Sequence, residues 1–293
     1  MRIGYPCINR SIGCQANKGF RLASLTKERF LETVENNLDC LRKILEFNIQ
    51  HHLYFFRISS EVVPFGSHPE NTYPWQEIFQ KKLARLGSFI KEHDIRISMH
   101  PGQFTVVNTP SATIWQKTRL ELLYHTDFLN LLGLSTSHKI QIHVGGVYGN
   151  KTLAMERFCQ RYEELPDMVK TRLVIENDDY LYSGADCLEI HKKIGIPIIL
   201  DTFHHECLNQ GESLSTVMAA IRQTWQTQDG VPMVDYSSQA PQEKLGKHIK
   251  SLDAFHFEQT LDSLKAFDFD LMLEIKDKEQ SALKAQKILE SRG

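Results

Sequence analysis

The sequence predicts a single closed parallel (β/α)8 barrel over residues 1–293, and three observations carry that prediction. Eight short apolar runs alternate with longer stretches of helical periodicity along the whole chain. No G-x-G-x-x-G follows the first run, which counts against the runner-up, a doubly wound open sheet. Ionisable residues fall at the ends of the runs, where a barrel gathers them at the C-terminal mouth.

The strands are expected at 2–6, 53–59, 95–100, 139–144, 172–177, 196–201, 231–236 and 270–275. Helices are expected at 25–47, 75–93, 112–132, 151–164, 185–193, 212–226, 258–267 and 279–291. The first helix places Leu25, Phe30, Val34, Leu38, Leu41 and Leu45 close to one face of a 3.6-residue repeat. Thr26 and Ser111 stand where they would cap the helices that follow them. No linker, low-complexity tract or domain-scale repeat divides the chain, so one domain is expected.

At 293 residues, 41% hydrophobic and 24% charged, the chain is ordinary globular material of a size that one α/β barrel uses. Its formal net charge of −2 excludes a globally basic nucleic-acid binder, so a DNA contact would need a local basic stripe. No apolar run approaches the length that spans a bilayer, and no membrane partner is expected. Cys7, Cys14, Cys40, Cys159, Cys187 and Cys207 form no C-x-x-C pair and follow no secretory hydrophobic region. Reduced thiols in a cytoplasmic, monomeric protein are the expectation.

The candidate ligands occupy the mouth with unusual regularity. His100, His143, Glu176, Asp201 and Glu274 end strands three, four, five, six and eight, and Asp235 lies near the end of the seventh. His68 follows the second strand, His204 follows Asp201 by three residues, and His248 follows the seventh strand. A single histidine at a strand end is most often a structural, hydrogen-bonded residue, and a lone aspartate there equally caps the next helix. The number is what argues for metals, because an apolar barrel sends that many carboxylates and imidazoles to one mouth only when cations neutralise them. Nine candidates exceed the needs of one ion, so two or three are expected. Imidazole and carboxylate without thiolate suit manganese (Mn2+), zinc (Zn2+) or iron. His204 is chosen over His205 because the D-x-x-H spacing returns its side chain to the mouth. Arg57, lodged in the apolar "YFFRISS", is expected to pair with a barrel carboxylate, and Lys18, Arg21 and Lys151 read as solvated surface charge.

These residues sit in motifs that resemble the UV damage endonucleases, metal-dependent repair nucleases related to endonuclease IV. The matching pieces are "GYPCIN" (4–9), "FRISSEVVPFGSHP" (56–69), "ISMHPGQF" (97–104), "IQIHVGG" (140–146), "VIENDD" (174–179), "LDTFHH" (200–205), "DYSSQ" (235–239) and "LEIKDKE" (273–279). The resemblance implies a (β/α)8 barrel with two or three divalent ions, commonly Mn2+, acting on damaged double-stranded DNA. It implies incision of the backbone immediately 5′ to a UV photoproduct, opening an alternative excision repair pathway. By position, His68, His100, His143, Glu176, Asp201, His204, His248 and Glu274 match metal ligands. Tyr5 and Asn9 match residues near the lesion and the scissile phosphate, and Gln103 matches a wedge inserted into the duplex. Phe104 stands where the family commonly has tyrosine. On the seventh strand the family's Lys-x-His becomes Met233 and Asp235, so a carboxylated lysine is absent and Asp235 would be an oxygen ligand. Glu176, mid-barrel, is the expected bridging carboxylate.

Three other readings share the pattern. A sugar isomerase or epimerase also hangs Glu, Asp and His ligands on this barrel but has little use for a protruding Gln103-Phe104. An abasic-site endonuclease would keep the metals with another lesion pocket. A non-catalytic damaged-DNA-binding protein would keep the barrel and lose the reaction.

Overall fold

The computed structural model describes residues 1–292. Eight parallel strands close in sequence order: β1 (Ile3–Pro6), β2 (Phe55–Ile58), β3 (Arg96–Met99), β4 (Lys139–His143), β5 (Leu173–Glu176), β6 (Ile198–Asp201), β7 (Met233–Tyr236) and β8 (Asp270–Leu273). The helices are α1 (Lys27–Gln50), α2 (Trp75–Ile78), α3 (Gln80–Glu92), α4 (Ala112–Leu131), α5 (Lys151–Glu163), α6 (Asp167–Lys170), α7 (Gly184–Ile194), α8 (Thr202–Cys207), α9 (Leu214–Ile221), α10 (Ala254–Leu264) and α11 (Glu279–Arg292). The barrel and all eight strands stand where the apolar runs predict them.

The helices depart from expectation in four places, one of them the four-residue α6, too short to show a periodic pattern. The segment 75–93 is two helices, α2 and α3, with Phe79 between them. The eighth-strand precursor helix starts earlier than the expected 258, because Asp253 accepts the His256 N–H and caps it. Helix α8 was not expected at all; six residues are too few for a periodic pattern to declare itself. Thr26 and Ser111 do cap α1 and α4, each accepting an N–H from three residues on.

Side chains alternate along each strand, so every second residue fills the barrel. Phe55, Val174, Ile199, Met233 and Met272, with Trp225, make an apolar cluster apart from the main core. At the N-terminal end, Arg96 donates to Asp270 at 2.9 Å and Lys139 to Asp229 at 2.5 Å, both pairs buried. Two residues further along the same strands come Arg57, Gln141, Glu176, Asp201, Asp235 and Glu274. The barrel is therefore ionic at both ends and apolar between. Met233 belongs to the apolar layer, with Phe55 and Met272 in the same cluster. At Gly4 a Cβ would stand 2.2 Å from the Phe55 carbonyl oxygen, so only glycine lets β1 lie this close to β2.

One expectation fails outright. Cys14 and Cys40 form a disulfide, with Cα atoms 5.9 Å apart, pinning the loop after β1 to α1. The other four cysteines are free. Among the described residues, no helix is long and apolar enough to cross a membrane.

Candidate metal centre and its rim

The register brings the ligand-type residues together. His143 lies beside Glu176 across β4 and β5, and Asp201 beside Asp235 across β6 and β7. Two groups result, His100–His143–Glu176 and Glu176–Asp201–His204, each with its ligand atoms within 4.8 Å of one another. Glu176 belongs to both. Its Oε1 stands 2.7 Å from His100 Nε2 and 3.1 Å from His143 Nε2. The imidazoles step round the mouth, with ring centroids 5.2 Å apart for His100–His143, 6.1 Å for His143–His204 and 5.8 Å for His204–His248.

Asp201 has two duties. One oxygen accepts the His204 N–H at 2.8 Å and caps α8, turning His204 toward the mouth. The other, Oδ2, is buried without a hydrogen-bond partner and lies 3.3 Å from His204 Nδ1. A neighbouring peptide carbonyl, that of Asn177, fixes the His204 ring at 3.0 Å from Nδ1. His205 points elsewhere, its Nε2 3.2 Å from the Glu212 carbonyl.

Arg57 behaves as a buried cation must. It donates to both oxygens of Asp235, at 2.8 and 2.9 Å, to Gln141 at 2.6 Å, and to Glu274. Gln141 in turn donates to Glu176 and, at 2.5 Å, to Asp235. Sequence reasoning passed over Gln141, because an amide inside an apolar strand announces no chemistry. Asp235, expected as an oxygen ligand, therefore has both oxygens committed to a guanidinium. Glu274 shares that guanidinium and lies outside both groups, as do His248 and His68. His248 Nδ1 is 2.7 Å from the Glu274 carbonyl, holding the ring at the edge of the mouth. His68 accepts the Glu70 N–H at 3.2 Å in the loop after β2.

Charge state follows from these contacts. Burial pushes the Glu176 carboxyl up, but His143 and His100 outweigh it and hold it well below the carboxylate range. Burial also acts on Glu274, where Arg57 prevails and brings it to about 2. Asp201 has no such partner for its second oxygen, and burial pushes it up to about 7 against the pull of His204. These are the marks of a site that a cation completes: a buried orphan carboxylate oxygen, an ionised glutamate shared by two groups, and nitrogen and oxygen donors without thiolate. The donor set fits two divalent ions.

Tyr5 and Asn9 lie outside both ligand groups. The Tyr5 hydroxyl donates to Asn48 of α1 at 2.6 Å and receives the Asn9 amide at 2.8 Å, and both residues are buried. Tyr5 is part of the wall between β1 and α1, whereas Asn9 also lines a cavity with Arg10, Cys14 and Lys18 in the loop after β1. Gln103 and Phe104 are the reverse, both exposed at the tip of the loop after β3, with Phe104 67% accessible. Tyr148, Tyr180 and Leu245 are likewise exposed, in the loops after β4, β5 and β7. The backbone of the turn at Tyr180 is fixed, since Asp178 Oδ1 accepts the N–H groups of Tyr180, Leu181 and Tyr182. The mouth thus has an apolar rim contributed by four loops, of which the sequence pointed only to Phe104. A cavity of about 490 Å3 opens on its β8 side, bounded by Cys7, Arg57, His100, His248 and Glu274. A larger groove of about 780 Å3 lies between α1 and α3 on the outside of the barrel, away from both ligand groups.

Comparisons with known proteins give the family and the fold. The family described as UV-endonuclease UvdE matches residues 1–292. The chain is 42% identical over 286 residues to a UV DNA damage endonuclease of Clostridium perfringens (strain 13 / Type A), covering 97% of this chain and 69% of that protein. Identity to the UV DNA damage endonuclease of Bacillus thuringiensis subsp. konkukian (strain 97-27) is 33% over 293 residues, covering 97% and 92%. The crystal structure of SacUVDE superposes with a TM-score of 0.96 at 44% identity, covering 100% of this chain and 99% of that one. A D-psicose 3-epimerase from Clostridium cellulolyticum H10 superposes with a TM-score of 0.57 at 12% identity, covering 86% and 92%. That last likeness is one of fold alone.

Proposed function

The chain belongs to the UV-endonuclease UvdE family, and from that premise we propose that it is a metal-dependent DNA repair hydrolase cutting the phosphodiester bond immediately 5′ to UV photoproducts. The observation that carries the reading is one shared carboxylate, Glu176, joining two ligand groups, with an exposed Gln103-Phe104 tip three residues beyond His100. His100 and His143 with Glu176 would hold one divalent ion, Mn2+ or Zn2+, and Glu176 with Asp201 and His204 the second. Bound there, such ions supply Lewis acidity, lowering the pKa of a water and neutralising charge on the phosphate and the leaving 3′ oxygen. Two ions rather than three suit the site, because Arg57 already neutralises Asp235 and Glu274.

The protein's own residues do the positioning. Gln141 and Arg57 fix the β4, β7 and β8 carboxylate and amide groups, so Glu176 is presented in one orientation. His248 stands at the rim of the second group. Phe104 supplies a planar face and Gln103 an amide, which together replace stacking and pairing when damaged bases leave the duplex. A photoproduct stacks poorly, so its extrusion costs less than that of an intact pair. The epimerase reading rests on fold alone.

The test is nicking of UV-irradiated against untreated plasmid with Mn2+ and with chelator. Incision is expected only on the irradiated plasmid with metal, and Glu176→Gln is expected to abolish it while damaged duplex still binds. Equal turnover by that variant, or sugar isomerisation without incision, overturns the proposal. Inductively coupled plasma analysis should find two ions per chain, unchanged in Asp235→Asn.

A further inference from the structure

The β8 side of the mouth carries positive charge that the ligand groups do not use. Lys247, Lys276 and Lys278 line the cavity of about 490 Å3 beside His248 and Glu274. Among the described residues, none of the three has a carboxylate within 4.0 Å, and the nearest acidic side chain of that wall, Glu274, is engaged by Arg57. What sets these three apart is their place, together on one wall of a cavity that opens beside a carboxylate-lined mouth.

Lys278 is the innermost of them. It is half-buried, and its surroundings include Cys7, Glu274, Arg57 and Arg10. Its backbone is left-handed, φ 58°, and so is that of Cys7, φ 73°, on the facing wall of the same cavity. Left-handed lysine is strained, and strain of this kind persists where the surroundings over-determine it. Here they do. The Lys278 N–H donates to Ile275, the Lys276 and Asp277 N–H groups to Ile249 and Lys250 after β7, and Glu279 accepts from Arg10 and Ser11 after β1. Three loops hold one lysine at one place, with no carboxylate in contact with its ammonium.

Resting on the reading of the chain as a DNA endonuclease, we infer that Lys278 is a substrate-positioning residue whose ammonium binds a backbone phosphate of the DNA strand entering on the β8 side. Lys247 and Lys276 continue the contact along the same strand. A mouth rich in carboxylates repels a polyanion, and a cationic wall beside the ligand groups gives the strand one side on which to enter. Ammonium and phosphate make a point-charge contact that reads no sequence, which suits an enzyme indifferent to the bases around a lesion.

The experiment measures binding of a UV-irradiated duplex oligonucleotide against salt for the metal-loaded wild type, Lys278→Gly and Lys278→Arg. Lys278→Gly should bind about tenfold or more weakly, with a log–log salt slope shallower by about 0.9. Its melting temperature should equal or exceed that of the wild type, because glycine relieves the left-handed φ, and its metal content should be unchanged. Lys278→Arg should keep the wild-type slope. An unchanged slope in Lys278→Gly, or loss of bound metal, overturns the phosphate contact. Failure of the wild type to nick irradiated plasmid overturns the endonuclease reading instead, and is read in a separate assay.

Discussion

Arg57 is the buried cation shared by the Asp235 and Glu274 carboxylates. A guanidinium inside "YFFRISS" has to find carboxylates, since its charge cannot be buried alone. Burial works against its charge, but Asp235 and Glu274 together hold its pKa above the ordinary value. Removing one partner of such a pair leaves the other uncompensated. Arg57→Met is expected to destabilise the protein by roughly 3–5 kcal/mol, and adding Asp235→Leu to recover a large part of that loss. Urea denaturation of the two single variants and the double one gives the coupling; strict additivity would mean that the guanidinium and Asp235 do not depend on each other. Tyr5 and Asn9 show the opposite case. All four residues of β1 are buried, so no polar alternation marks which way Tyr5 faces. Only packing against Asn48, 43 residues away, decides it.

At the scale of elements, the strands were legible because each is a short apolar run, and their order gave the barrel. The loops were legible only where a motif marked them. The tip after β3 depends on glycine for a reason particular to it: a Cβ at Gly102 would stand 2.5 Å from the Phe104 ring. Gly102→Ala should therefore displace Phe104 and weaken discrimination between irradiated and intact duplex. Metal content should stay at the wild-type value, because no ligand moves. Competition binding with the two duplexes checks this, and equal discrimination would mean that Phe104 is not part of the wedge. The disulfide was invisible because Cys14 and Cys40 are 26 residues apart and match no motif; it closes a loop that the fold alone brings together. Cys14→Ser, or reductant on the wild type, should cost roughly 3 kcal/mol in denaturant. A wild type indifferent to reductant would show that the bond carries no stability.

Across the whole molecule, the two ends of the barrel respond to pH with opposite signs. Near the N-terminal end, His138 accepts the Ile97 N–H at 2.9 Å and must stay neutral. Burial, with Arg96 and Arg172 nearby, lowers it from 6.5 to about 3. Between those values the unfolded chain binds a proton that the folded one refuses, so stability falls as pH drops below about 6.5. At the mouth without metal, burial raises Asp201 from 3.8 to about 7, while His204 rises from 6.5 to about 9, burial opposing and Asp201 prevailing. Here the folded chain holds the extra protons, so stability is full below the unfolded pKa values and falls as pH rises through the folded ones. Asp201 alone is worth on the order of 4 kcal/mol over that span. In chelator, Asp201→Asn should therefore melt several degrees above the wild type at pH 8 and coincide with it at pH 4, and His138→Gln should gain on the wild type only below about pH 6.5. Mn2+ should raise the wild-type melting temperature at pH 8 and leave Asp201→Asn little changed, because the cation takes the place of the protons that the mouth otherwise keeps. If chelated wild type and Asp201→Asn melt together at pH 8, the orphan oxygen of Asp201 is neutralised by something other than a proton or an ion, and the two-ion assignment loses its strongest structural support.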